Sequence, residues 1–235
     1  MVKNVFKILA IFIIGIVGGI FADQILWPRF VEKPLFLKYK LDQVPIYITE
    51  EREVFIQENT ALQDAVEKVE KVVVGVRTET KNKKILEGSG LIVTSDGLVI
   101  TLASLLPEEG ETVLYFNGET ITPEIVKREN GLALLKADKG NLPTVGFAKL
   151  EEIKLGQRVF SMGVIFEESE AGRIIDEGII RYLNDDLIKT SILDEEILVG
   201  SSLFNIKGEV IGLKGVEKNE SVIIPISEIQ EFLAS

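Results

Sequence analysis

The sequence predicts an all-β domain bracketed by two short helices and preceded by a single apolar helix. Three observations carry that expectation. From Val72 onward, short apolar runs alternate with Gly, Asn or Asp turns about every ten residues, as in a barrel or sandwich. Helical spacing of apolar residues is confined to the two borders of that region. Near the N-terminus, Ile8 to Ala22 carry no charge at all.

The N-terminal run, extended from Val5 to Trp27, is close to the ~20 residues that a bilayer-spanning helix needs. Lys3 and Lys7 mark its cytoplasmic end, which places the remainder of the chain outside. Residues 1–27 are therefore expected to be a single-pass anchor in the cell (inner or cytoplasmic) membrane, with Trp27 at the outer interface. The alternative is a cleaved signal peptide ending at Ile20-Phe21-Ala22; the bulk of Ile20 and Phe21 counts against it. Gly15 and Gly19 form a G-x-x-x-G pair through which two anchors can pack into a homo-oligomer. Ordinary membrane-helix glycines would read the same way.

Residues 28–58 mix aromatic, proline and charged residues without a helical period, and read as an extracytoplasmic stalk. Thr60 and Gln63 then fit a capping box, with Leu62, Ala65, Val66 and Val69 at helical spacing. The closing helix repeats the device with Ser227 and Gln230, and Ile229, Phe232 and Leu233 form its apolar face.

Composition removes whole classes of chemistry. The chain of 235 residues is 46% hydrophobic and 27% charged, a globular balance. Its net charge of −11 argues against nucleic acid as a partner. No cysteine is present, so disulfides, thiol nucleophiles and thiolate metal sites are out of reach. Histidine is also absent, which removes the usual general base near neutral pH and the commonest metal ligand. No cofactor is expected.

Five segments carry a more specific signal. "GSGLIVTSDGLVITLASLL" at 88–106 resembles the opening of the first barrel in HtrA/Deg-type trypsin-like proteases, including Gly88, Ser89, Gly90, Asp96, Gly97 and Thr101. "NGLALLKAD" is similar to the family's T-D-L-A-V-L-K, and "LGQRVFSMG" to the start of its second barrel. "KTSILDEEILVGSSLFNIKGEVIGL" resembles the nucleophile segment with its G-N-S-G-G-P run, and "VIIPIS" the stretch before the closing helix. The resemblance spans roughly Val69 to Phe232 in the right order. It implies a trypsin-like double β-barrel over 59–235, with barrels at approximately 70–147 and 148–226; no PDZ-like domain is expected after the closing helix.

The same resemblance implies where the catalytic groups should stand. A triad needs a hydroxyl nucleophile, an imidazole base and an orienting carboxylate. Carried across residue by residue, the His position holds Ser104, the Asp position Gly131 and the Ser position Val199. The glycine that helps form the oxyanion hole is replaced by Ile197, which resists the backbone angles glycine permits. Gly200, Ser201 and Ser202 follow and are expected to line the cleft.

Other groups read as structural. Lys189 and Lys214 are the candidates for a Ser–Lys pair with Ser201 or Ser202, but no spacing sets either against a serine. Asp194-Glu195-Glu196 and Asp185-Asp186 read as solvated loops and turns. The expected function is that of an inactive protease homologue that binds an extended peptide or an envelope protein outside the membrane. Two alternatives stand beside it: an active endopeptidase with a non-standard base, and a purely structural envelope protein.

Overall fold

The structure, a computed structural model, describes residues 2–26, 58–167, 170–184, 187–193, 198–217 and 220–235. All but Glu58 of the stalk expected over 28–58 lies outside the described residues, as does Trp27. Two compact units divide the chain, Met1–Phe55 and Ile56–Ser235.

In the first unit, α1 (Val2–Phe21) runs on into a π-helical turn, Ala22–Leu26. Its apolar side chains, among them Ile8, Phe12 and Ile16, are exposed on every side. The stretch Lys7–Ile25 is long and apolar enough to cross a membrane, a test that an N-terminal signal sequence also passes.

The second unit opens with α2 (Glu58–Val69). Its start at Glu58 leaves Thr60 inside the first turn rather than at the expected cap. A barrel-like sheet follows, with β1 (Val73–Thr80), β2 (Ile85–Ile92), β3 (Leu98–Leu102), β4 (Gly110–Phe116), β5 (Glu119–Ile121), β6 (Glu124–Glu129) and β7 (Leu132–Lys136). Its order is β5-β4-β1-β2-β3-β7-β6, so the sheet coils without its outer strands meeting. Two of its hairpins use Asn-Gly turns. Asn117-Gly118 and Asn130-Gly131 each have two positive φ angles, 45° and 87°, then 49° and 80°, the geometry of a type I′ turn.

The second sheet comprises β8 (Arg158–Glu167), β9 (Glu170–Leu183), β10 (Ile188–Thr190), β11 (Ser202–Asn205), β12 (Val210–Glu217) and β13 (Glu220–Pro225). It closes into a barrel in the order β10-β13-β12-β11-β8-β9. The chain ends on α3 (Ile226–Ala234). Pro225 occupies the N-cap with extended backbone and no side-chain cap, so Ser227 falls within the first turn instead of capping it.

A single core joins the two sheets. Val76, Leu91, Ile100, Leu114 and Leu135 of the first pack in one cluster with Phe160 and Phe204 of the second. Those two rings stack 5.3 Å apart at 24°. A smaller cluster, including Val159, Ile180, Ile188, Leu203 and Ile211, fills the closed barrel. The hairpin of β8 and β9 reaches across to the first sheet. There Phe166 meets Tyr115 edge-to-face at 5.0 Å and 73°, and Arg173 donates to the Glu70 carbonyl at 2.8 Å and to Asn117. Both helices pack on this body. In α2, Ala65 and Val69 are buried, as are Ile226, Ile229 and Phe232 of α3.

Candidate functional site

Three backbone turns meet where the two sheets adjoin. The first follows β3: Ala103–Leu105 form one 3-10 turn, with Ser104 exposed and Leu105 buried. The second is the Asn130-Gly131 turn between β6 and β7, tied to the first because the Ala103 N–H donates to the Gly131 carbonyl at 2.8 Å. The third precedes β11. Ser201 N–H donates to the Leu198 carbonyl at 3.1 Å, and Gly200 N–H to the Lys214 carbonyl at 2.8 Å.

Gly88 and Ser89 of β2 hold these turns together. Ser89 N–H donates to the Val199 carbonyl at 2.9 Å. A Cβ on Gly88 would stand 2.5 Å from that same carbonyl oxygen and 2.7 Å from Leu105 Cδ1. Only glycine allows the Val199 turn and the residue after Ser104 to close on one point from two sides. Gly200 is equally constrained: its φ is +78°, and an added Cβ would lie 2.2 Å from the Ser89 carbonyl oxygen.

The hydroxyls around this seam are mostly paired. Thr101 Oγ1 donates to the Ser89 carbonyl at 2.7 Å, and Ser89 Oγ accepts from Val164 N–H at 2.8 Å. Ser161 Oγ and Ser201 Oγ share a hydrogen bond at 3.1 Å. Ser202 Oγ is buried and has no hydrogen-bond partner among the described residues. Ser201 and Ser202, expected along a cleft, have no exposed surface, and Gly200 is buried with them. Lys189 is exposed on β10, whereas Lys214 is buried. Ile197, Asp194-Glu195-Glu196 and Asp185-Asp186 lie outside the described residues.

A carboxylate with a shifted titration lies at the opposite end of β3 and β7 from these turns, where Leu98 pairs with Lys136. The Lys136 ammonium, 2.6 Å from the Asp96 carboxylate, holds that group below the usual range, at about 2. Asp96 sits in the turn between β2 and β3 and Lys136 at the end of β7, so the pair ties a hairpin to its neighbouring strand. Among the described residues no three His, Cys, Asp or Glu side chains group as metal ligands.

A family model described as a trypsin-like peptidase domain matches residues 88–213, which include all three turns. The chain belongs to the trypsin-like peptidase family. The relatives and the solved structure that it resembles are HtrA/Deg-type proteases. A probable periplasmic serine endoprotease, DegP-like, from Halomonas elongata is 31% identical over 150 residues, covering 59% of this chain and 31% of the relative. Serine protease HTRA1 from Xenopus laevis is 29% identical over 163 residues, covering 63% of this chain and 35% of the relative. The chain thus spans about a third of the length of these curated relatives. The solved structure of the HtrA-type protease AlgW with tripeptide superposes with a TM-score of 0.64 at 21% identity, over 74% of this chain and 62% of that one. The trypsin-like fold expected from the five segments is therefore present.

Within that fold, the turn chemistry at Gly131 was missed by sequence reasoning. Asn-Gly favours a tight hairpin turn, and the pair was available at 130–131 between a charged strand and an apolar one.

Proposed function

We propose that this trypsin-like domain does not hydrolyse peptides and serves as a membrane-anchored, extracytoplasmic binding module for an extended peptide or envelope protein. The observation that carries the proposal is the absence of histidine from all 235 residues, because a serine nucleophile needs a base to take its proton near neutral pH. The positions matched to the triad hold Ser104, Gly131 and Val199. Of these only Ser104 carries a hydroxyl, and hydroxyls do not act as bases near pH 7. Neighbouring Ser201 and Ser202 are fully buried, which keeps both from an incoming scissile bond.

Binding without cleavage finds support in the sheets. The outer strands β5 and β6 leave one edge each without a partner strand among the described residues, and extended peptides add to such edges. AlgW, which shares the fold, was solved with a tripeptide. The apolar helix at Lys7–Ile25, with Lys3 and Lys7 at its start, supports a cytoplasmic N-terminus and an outer domain.

The test is activity-based. The full chain in detergent micelles, treated with a fluorophosphonate probe and offered casein, should show no labelling and no release of peptides. Labelling that disappears in Ser201→Ala, Ser202→Ala or Ser104→Ala would overturn the proposal and establish a hydrolase with an unusual base.

A further inference from the structure

The closing helix is held at its last turn by a side chain from a distant strand. A helix leaves its last carbonyls without partners of its own, and a cation placed there bonds them and complements the negative end of the dipole. No basic residue stands in the last turn of α3. Lys127 of β6 supplies the cation from outside. Its ammonium donates to the Phe232 carbonyl at 3.1 Å and to the Ser235 hydroxyl, and lies 4.7 Å from the centre of the Phe232 ring.

The same ammonium is 3.0 Å from the Glu129 carboxylate. An ammonium has three donors, and Phe232, Ser235 and Glu129 occupy them. Lys127 stands opposite Leu134 of β7 and Glu129 opposite Leu132, so both side chains lie on one face of the sheet. That placement depends on a bulge. The register slips by one residue between Ile125 and Lys127, and without the slip Lys127 would present its side chain to the other face.

β6 is lightly held otherwise. It is an outer strand whose one strand partner among the described residues is β7, and five of its six residues are exposed, all but Lys127. Strands with so few buried contacts open locally at a cost well below that of global unfolding. β6 leads directly into the Asn130-Gly131 turn, where the Gly131 carbonyl accepts from Ala103 N–H at 2.8 Å. Ala103 in turn opens the 3-10 turn that carries Ser104.

We infer that Lys127 is a latch that makes the last turn of α3, strand β6 and the Gly131–Ala103 contact open and close as one unit. A disturbance at the helix end is then felt at the turn beside Ser104, and the reverse holds equally, because coupling between two places is reciprocal. The latch goes beyond the binding function proposed above and does not depend on it.

Native-state hydrogen exchange tests it, on the full chain in detergent micelles, resolved to single amides by fragmentation mass spectrometry. The reporters are Leu233 and Ala234 in the helix end and Ala103 at the turn. Ser89, whose N–H is bonded to the Val199 carbonyl, is the control across the seam. Ser235→Ala alters only the helix end, yet it should speed exchange several-fold at Ala103 as well as at Leu233 and Ala234, with Ser89 unchanged. Lys127→Met should do the same more strongly, and Lys127→Arg, which keeps a cation at the carbonyl, should return most of the protection. Faster exchange confined to the helix end would reduce Lys127 to an ordinary cap and overturn the inference. So would no change at all, or an equal rise at Ser89, which would mark general destabilisation. Should Lys127→Met fail to fold, Ser235→Ala, at an exposed position, decides the matter alone.

Discussion

Gly200 shows how closely single residues are constrained at the seam between the sheets. Its positive φ and the 2.2 Å approach of the Ser89 carbonyl to a hypothetical Cβ act together. Gly200→Ala should lower the unfolding free energy by at least about 2 kcal/mol, from a left-handed backbone cost of about 1–2 kcal/mol plus the displaced carbonyl. Urea unfolding followed by circular dichroism measures it; an unchanged midpoint would contradict the packing. Much at this scale was legible in the sequence, since missing residue types are visible in composition. The burial of Ser201 was not, because its hydroxyl partner Ser161 lies 40 positions away and only strand pairing unites them. Gly131 was read only as a substitution, although the Asn130-Gly131 pair also spelled the tight turn that its conformation belongs to.

At the level of elements, the β8–β9 hairpin is the brace between the sheets. Phe166 and Tyr115 form its aromatic contact, and such pairs contribute about 0.5–1.5 kcal/mol beyond their burial. A double-mutant cycle with Tyr115→Leu and Phe166→Leu should therefore return a coupling of about 1 kcal/mol. Strict additivity would mean the hairpin lies on the first sheet without holding it. Strand runs were readable because apolar positions alternate with turn residues, as in β4 and its Asn117-Gly118 exit. Helix starts were not: Pro225 sets the entry to α3, so the serine two positions later has no cap to provide. Local capping patterns lose to the strand that feeds the helix.

Across the whole molecule, the convergence of Ser104 and Val199 can be measured directly, because the native chain has no cysteine to interfere. A Ser104→Cys, Val199→Cys double variant should be bridged internally by dibromobimane when folded and not after unfolding in urea. Absence of the bridge in the folded protein would separate the turns that Gly88 brings together. The fold class and the order of the two sheets were legible from the five family-like segments. That the first sheet stays open while the second closes was not, since closure depends on the stagger between distant strands.

Phe160 and Phe204 belong by sequence to the second sheet but by packing to the core of the first. Only the smaller cluster around Val159 and Leu203 belongs to the second half alone; the larger core is shared. Damage to one half is therefore transmitted to the other, and a truncation at the boundary between them would strip each fragment of walls that the remaining half requires. Evolutionary or engineered swaps of a single half face the same obstacle: the graft must bring matching rings with it, or rebuild a surface that has never met water.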